Sequence, residues 1–309
     1  MNTNTNIKVI GIGGSGGNAI TRMKKQGIKG VELIALNTDA QDLKKTKADK
    51  KVRFGNETTR GLGTGMNPKI GRKSAKESED EIKKLLRDTD LVFITYGAGG
   101  GTGTGAGPVV ANLAKESGAL TMAVVTKPFS FEGEARKKIA EKGIKKLRKN
   151  VDSLITISND KLLKHLGSRI SVVKAFKECD DVLRQAVQGI SDLILLPGII
   201  NVDFADVERI IGDSGTALFG IGRASGQRRA KDAARKALDS PLLDIAPKKA
   251  EGILFNVSGG LDISLSEIEE VAEVVKEEVD PQSDIIFGAV QDEDLKKGEI
   301  KVTIIATGF

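Results

Sequence analysis

Gly97-Ala98-Gly99-Gly100-Gly101-Thr102-Gly103-Thr104-Gly105 is the stretch that decides the fold. It follows an apolar run, Asp90–Thr95, that reads as a strand, and it precedes Ala106–Ser117, which reads as a helix. So much glycine is costly in backbone entropy, and a bound group or a close contact must offset that cost. Successive backbone N–H groups in such a loop can form a nest for an anion, and the hydroxyls of Thr102 and Thr104 add donors toward phosphate oxygens.

A second glycine loop lies upstream. Gly11-Ile12-Gly13-Gly14-Ser15-Gly16 sits between a predicted strand, Ile7–Ile12, and a predicted helix, Gly16–Gln26. It fits G-x-G-x-x-G, so Gly13, Gly14 and Ser15, with Asn18 one turn on, are candidate phosphate contacts at a helix N-terminus. Alone, this motif also suits a dinucleotide, or a tight turn with nothing bound. The chain has no G-x-x-x-x-G-K-[ST], which sets it apart from P-loop nucleotidases.

Around these loops, apolar runs alternate with helical patterns. Val31–Leu36, Leu120–Thr126 and Ser153–Ile157 read as further strands, and Pro68–Leu86 and Glu134–Arg148 as helices. Strands separated by helices imply βαβ units and a mostly parallel sheet. Val172, Phe176, Cys179, Leu183, Ala186, Ile190 and Leu193 recur at helical spacing and predict a long helix stopped by Pro197-Gly198. Beyond it, strands at Ala217–Ile221, Ile253–Val257, Asp284–Ala289 and Ile300–Ala306 mix with helices at Gln227–Leu238 and Ser266–Glu278. The expectation is an α/β protein with three parts. Residues 1–171 form a Rossmann-like nucleotide-binding domain, 172–200 a central helix, and 201–309 a smaller α/β domain.

Composition narrows the chemistry. The chain has 309 residues, 39% hydrophobic and 29% charged, as in ordinary globular proteins. No run approaches the roughly 20 apolar residues of a membrane span, and Met1–Asn6 lack a signal-peptide core. A cytoplasmic protein without membrane insertion is expected. Cys179 is the only cysteine and His165 the only histidine, which leaves no cysteine cluster, no multi-histidine metal site and no ready Ser-His-Asp triad. His165 reads as a helix-surface residue. Residues 1–200 carry 35 Lys+Arg against 21 Asp+Glu, a net +14, while residues 201–309 carry 13 against 21, a net −8. That asymmetry suits nucleic-acid binding, attraction between copies, or only a solvated surface. With 4% aromatic residues, base stacking on a nucleic-acid strand has little to use, and no nucleic-acid partner is expected.

At the glycine loop the sequence resembles the tubulin/FtsZ superfamily, whose signature is G-G-G-T-G-[ST]-G, and it resembles the FtsZ branch, the bacterial cell-division GTPases, most. The likeness continues through Asn37-Thr38-Asp39-Ala40-Gln41, Gly61-Leu62-Gly63-Thr64-Gly65-Met66-Asn67-Pro68, Thr126-Lys127-Pro128-Phe129-Ser130-Phe131-Glu132-Gly133, Asn159-Asp160-Lys161-Leu162-Leu163 and Asn201-Val202-Asp203-Phe204-Ala205-Asp206-Val207. It covers nearly the whole chain and ends with the family's globular core, so no tail site for division-protein partners is expected here. The resemblance implies GTP and GDP as ligands, Mg²⁺ held mainly by phosphates and water, and head-to-tail self-assembly in cell division.

The resemblance also implies roles. Asn37, Asp39 and Pro128 join the nucleotide contacts. Gly63, Thr64 and Gly65 sense the γ-phosphate, and alanine is expected where Thr64 and Met66 stand. Tyr96 is bulkier than the family pattern. Glu132 and Arg136, four residues apart, would share a helix face and contact the sugar and phosphate side; a surface ion pair is the plainer reading. Phe176 would stack on the base, and Asp180 would accept from guanine N1–H and N2–H₂, with Asn159 a further base contact. The plainer reading makes Phe176 core and Asp180 solvated.

No general base is apparent near the glycine loops. Asn201, Asp203 and Asp206 follow the long helix, which spans about 37 Å at 1.5 Å per residue. By resemblance they form the loop that completes a neighbouring subunit's active site, with the carboxylates positioning water. As a plain alternative, Asp203 and Asp206 cap a helix. Other readings of the chain are an NAD-type oxidoreductase, a non-enzymatic filament or scaffold, and another prokaryotic tubulin-like protein.

Overall fold

Apolar runs without alternation suit strands covered on both faces, and the first half of the chain uses them so. The computed structural model describes residues 5–166, 170–196, 198–240, 247–292 and 295–309. The chain divides into two units, Met1–Gln188 and Gly189–Phe309. The first contains β1 (Ile7–Ile12), α1 (Gly13–Gln26), β2 (Val31–Asn37), α2 (Ala40–Lys45), β3 (Lys50–Arg53), α3 (Asn56–Thr59), α4 (Pro68–Glu77) and α5 (Glu79–Leu86). It continues with β4 (Leu91–Gly97), α6 (Thr102–Glu116), β5 (Leu120–Lys127), α7 (Glu134–Leu147), β6 (Ser153–Ser158) and α8 (Asn159–Leu166). The long helix α9 (Val172–Leu195) contains the division between the units.

The strands of the first unit lie in the order β3-β2-β1-β4-β5-β6, all parallel. All six residues of β1 are buried, as are six of the seven in β4. From β1 the chain builds outward to β2 and β3 on one side, then returns to place β4, β5 and β6 on the other. Parallel sheets of this kind bind ligands beyond the carboxyl ends of the strands, where the winding reverses. Both glycine loops lie there, one after β1 and one after β4.

The second unit adds β7 (Gly198–Ile200), α10 (Phe204–Ile211), β8 (Gly215–Ser225), α11 (Arg229–Leu238), β9 (Gly252–Gly259), α12 (Leu265–Glu278), β10 (Asp284–Gln291) and β11 (Glu299–Thr307). The strand order is β8-β11-β9-β10-β7, antiparallel except for β9 with β10. Its core joins Ala230, Ala233 and Ala237 of α11 to Ile268, Val271 and Val275 of α12 and to the sheet. Arg229 ties α11 to the start of α12 through Asp262 and Glu267. Among the described residues no helix is long and apolar enough to cross a membrane.

Several expectations need correction. The helix expected over Pro68–Leu86 is two helices, broken at Ser78. The Ser78 hydroxyl accepts from Gly55 N–H at 3.1 Å, and Glu77 accepts from Glu57 and Thr58 N–H at 2.8 and 3.0 Å. These contacts from α3 draw the chain off its helical path. Helix α1 begins at Gly13 rather than Gly16, and α6 at Thr102 rather than Ala106, so glycines of both loops form first helical turns. The apolar stripe of α9 is not buried from its start: Val172 and Phe176 are 59% and 40% exposed, while Ala175, Cys179, Leu183, Ala186 and Ile190 are buried. The elements α2, β3, α3 and β7 are not among the expected ones, whereas α8 contains the helical stretch expected around His165, and α10 is the helix that the plainer reading has Asp203 and Asp206 cap. Pro197, read as part of the helix stop, and the His165 side chain lie outside the described residues.

Candidate functional site

Two helices open into one cavity. Helices α1 and α6 both begin without a side-chain cap and without an acidic residue in the first turn. Their free N–H groups and dipoles favour an anion at that point. The cavity, about 330 Å³, is walled by the first turn of α1, including Gly13, Gly14, Ser15 and Asn18, and by Gly100 to Gly103 at the start of α6. Gly13 takes φ +72°, a left-handed conformation that lets the strand turn straight into the helix. Gly101 is dictated from beside the cavity, because a Cβ there would fall on Thr64 Oγ1 and within 2.6 Å of Asn67 N. A Cβ at Gly100 would meet nothing within 4 Å.

Hydroxyls stitch the phosphate side together. Thr102 Oγ1 lies 2.8 Å from Thr38 Oγ1 and 3.2 Å from Thr64 Oγ1. Thr64 is 6% exposed and sits on the cavity wall. The loop Gly61–Asn67 around it is held in left-handed conformations at Gly61, Gly63, Gly65 and Met66, the last unusual for a residue with a side chain. The Met66 sulfur lies 3.8 Å from the Arg136 guanidinium.

Glu132 and Arg136 meet, though not on one helix face as expected. Glu132 ends a 3₁₀ turn, and Gly133, at φ +97°, separates it from α7. The Glu132 carboxylate bridges that break, accepting from Phe129 N–H at 2.9 Å and from the Arg136 guanidinium.

The same cavity is also lined by Pro128, Asn159, Phe176, Cys179 and Asp180. Phe176 presents an exposed ring and packs edge-on against Phe129 at 5.2 Å, and Phe129 stacks on Phe131 at 4.9 Å. The plainer reading of Phe176 as core is thus reversed. Asp180 is not freely solvated: burial pushes its carboxyl up to about 6, the Arg22 guanidinium opposes that shift, and Asp181 adds to it. Asn159 is 4% exposed, and its Oδ1 has no hydrogen-bond partner among the described residues. A buried amide oxygen facing a cavity without a partner suits a ligand that donates there.

Other expected contacts lie off this wall. Asn37 bonds to Asp42 at 2.8 Å, and Asp39 caps α2 by accepting from Gln41 and Asp42 N–H at 2.9 and 3.0 Å. Thr104 accepts from Gly99 N–H at 2.9 Å, so its hydroxyl oxygen closes the loop, while Thr102 alone of the two threonines lines the cavity. Gly63, Gly65, Gly99 and Gly105 are likewise absent from the wall. Tyr96 does not intrude. Its ring is fully buried beneath α6, where a Cβ at Gly103 or Gly107 would collide with it. The cavity also uses Ile12, Gly97, Ala98, Thr126 and Cys179, which the sequence reading did not assign to it. Cys179 was legible as the same helical face as Phe176, three residues away; its thiol is pushed up to about 12, chiefly by burial.

Asn201, Asp203 and Asp206 belong to the second unit. Asp203 occupies the N-cap position of α10 without a side-chain capping bond, and Asp206 lies 3.9 Å from Arg209. Asn201 Oδ1 accepts from Gly198 N–H at 2.8 Å, holding the turn that carries the two carboxylates. Among the described residues no group of three or more His, Cys, Asp or Glu could hold a metal.

Residues 6–167 match the GTPase domain of the Tubulin/FtsZ family, and residues 215–309 match the FtsZ family C-terminal domain. The chain is similar to M. jannaschii FtsZ, solved as an empty dimer, at 48% identity and a TM-score of 0.94, over 98% of this chain and 88% of that one. A mutant of the same M. jannaschii protein gives the same identity and score over 98% and 91%. CetZ2 of Haloferax volcanii, solved as a GTPγS-bound protofilament, matches at a TM-score of 0.82 and 20% identity over 98% and 92%, a likeness of fold.

Proposed function

Because the chain belongs to the tubulin/FtsZ family, we propose that it binds and hydrolyses GTP and assembles head to tail into filaments that serve cell division. The observation that carries this reading is the single cavity whose wall combines two uncapped helix N-termini with Phe176, Asp180 and Asn159. An anion of several phosphates suits the helix N-termini. A planar base with edge donors suits Phe176, Asp180 and Asn159. Guanine offers N1–H and N2–H₂ to the Asp180 carboxylate, whereas adenine has no proton at N1. Asn159 Oδ1 can accept one further donor.

In this reading the N–H groups of Gly13, Gly14, Ser15 and Gly100 to Gly103, with the Thr102 hydroxyl, hold the phosphates. Arg136, steadied by Glu132, faces the sugar and phosphate side. Mg²⁺ on the phosphates would take its ligands mainly from phosphate oxygens and water, and would neutralise charge there. Asp203 and Asp206 act on the nucleotide of the next molecule in the filament, orienting and polarising the attacking water, and Asn201 positions their turn. The M. jannaschii dimer lends support to self-association. Asp203 makes no capping bond to its own helix, which leaves its carboxylate available for such a role.

Light scattering and phosphate release, followed as protein concentration rises, test this reading. Turnover per molecule should climb steeply above a threshold concentration with GTP, and scattering should stay flat with GDP. Turnover independent of concentration would overturn the shared site.

A further inference from the structure

The first unit carries a second cavity besides the phosphate cavity. It is a groove of about 1080 Å³ along α6, bounded by α4 and α7, and it shares no lining residue with the phosphate site. Helix α4 gives it Lys69, Arg72, Lys73 and Lys76, and α7 gives Lys142 and Lys146. None of these six makes an ion pair among the described residues. Glu79 is the one acid on the wall. Val109 and Ile139, both half-buried, give the floor an apolar strip. Like charges crowded around a low-dielectric floor create a positive potential that a complementary surface can relieve.

The complement stands in the second unit. Helix α12 buries Ile268, Val271, Val274 and Val275 against its own sheet. Its outer face carries Leu265, Glu269, Glu273 and Glu277 at four-residue spacing, all exposed. Leu265 is 67% exposed and Leu261, just before the helix, 89%. This face is apolar at one end and mainly acidic along the rest, with Lys276 exposed among the glutamates, over about 18 Å. The groove runs along α6 from Thr104 to Leu113, about 14 Å by the same rise.

We infer that the groove between α4, α6 and α7 docks the outer face of α12 from a second copy of this chain. The leucines meet the Val109 and Ile139 strip, and the glutamates meet the lysines. An acidic helix suits the groove better than nucleic acid does, because no aromatic side chain lines it for stacking and its floor is apolar. One copy's groove takes another copy's helix, so the contact is heterologous and does not close on itself. The groove and the phosphate cavity share no lining residue, so the contact does not require bound nucleotide.

The test uses two charge-reversed proteins, Lys73→Glu with Lys146→Glu, and Glu269→Lys with Glu273→Lys. Sedimentation velocity is run on each nucleotide-free protein at low ionic strength. The parent should self-associate, and less so as salt is raised through the physiological range. Each variant alone should sediment as a smaller species, because like charges now face each other. Mixing the two should restore the larger species, since the mixture again offers basic grooves to acidic helices. Parent-like association of either variant alone, or no recovery in the mixture, would overturn the proposal. So would retention of a 20-mer DNA duplex by the groove in the parent and its loss in the first variant without recovery of self-association on mixing. GTP binding, measured in the same samples, should match the parent throughout, which separates failure of this contact from failure of the nucleotide site.

Discussion

Thr64 Oγ1 lies 3.2 Å from Thr102 Oγ1, so the loop Gly61–Asn67 is bonded to the first turn of α6 by a pair of hydroxyls. Thr38 extends the chain from the end of β2. Three loops around the phosphate end are thereby fixed together. Removing a part-buried hydroxyl bond costs about 1 kcal/mol. Thr64→Ala should therefore lower Tm by about 2–4 °C and speed proteolysis within Gly61–Asn67. A melt and cleavage pattern equal to the parent's would mean the bond contributes nothing in solution.

Asp180 sets a pH dependence. Its carboxyl lies at about 6 in the free protein, so the guanine contact proposed for it would need a carboxylate that forms only above that pH. GTP affinity should be flat above pH 7 and fall about tenfold per pH unit below 6. Asp180→Asn should flatten this profile and erase a preference for GTP over ATP that exceeds about a hundredfold in the parent. The sign for stability is opposite. A carboxyl raised by folding binds its proton more tightly in the native state, so Asp180 withdraws stability as pH rises from 3.8, the ordinary value for aspartate, to about 6. The asparagine variant should accordingly outmelt the nucleotide-free parent at pH 7, and the gap should close at pH 4.

Asp203 and Asp206 should separate fold from turnover. Neither carboxylate caps α10, and both are at least partly exposed. Asp203→Ala should change stability by less than about 0.5 kcal/mol. It should leave GTP binding intact and lower hydrolysis by roughly a hundredfold or more. A mixture with a Thr102→Arg variant, which keeps the carboxylates and loses the phosphate cradle, should regain part of the turnover. Full hydrolysis by the Asp203→Ala, Asp206→Ala double variant alone would exclude a role for this turn.

Tyr96 carries a buried hydroxyl with no hydrogen-bond partner. Burial raises its pKa, and an unpaired buried hydroxyl costs about 1–3 kcal/mol. Tyr96→Phe should raise Tm with GTP affinity unchanged, because the ring lies beneath α6 and away from the cavity. A weaker affinity for GTP in that variant would place the ring in contact with the ligand after all.

The parallel sheet was legible because β1, β4 and β5 are mostly apolar and lack polar alternation, as burial on both faces requires, with Lys8, Thr95 and Thr121 as buried exceptions. The phosphate end was legible for a related reason, since backbone donors need glycines and the glycines are visible. What the sequence hid depends on distant partners. Ser78 looks like any helix residue until Gly55 claims its hydroxyl. Glu132 and Arg136 have helical spacing, yet Gly133 at φ +97° breaks the helix between them. Asn37 and Asp39 belong to the family pattern, but local capping geometry consumes their side chains. Tyr96 seemed too large for its place because Gly103 and Gly107, which make room for it, lie on the next element.

Gly100 differs from the glycines around it. Gly97, Gly101, Gly103 and Gly105 are each hemmed in by Ser15, Thr64, Tyr96 or Pro68, so their replacement would disturb the protein whether or not anything is bound. A methyl group at Gly100 would touch no protein atom within 4 Å. If the proposed phosphate site is right, Gly100→Ala should weaken nucleotide binding while leaving the interior undisturbed, so that its phenotype in a living cell would report on ligand occupancy alone.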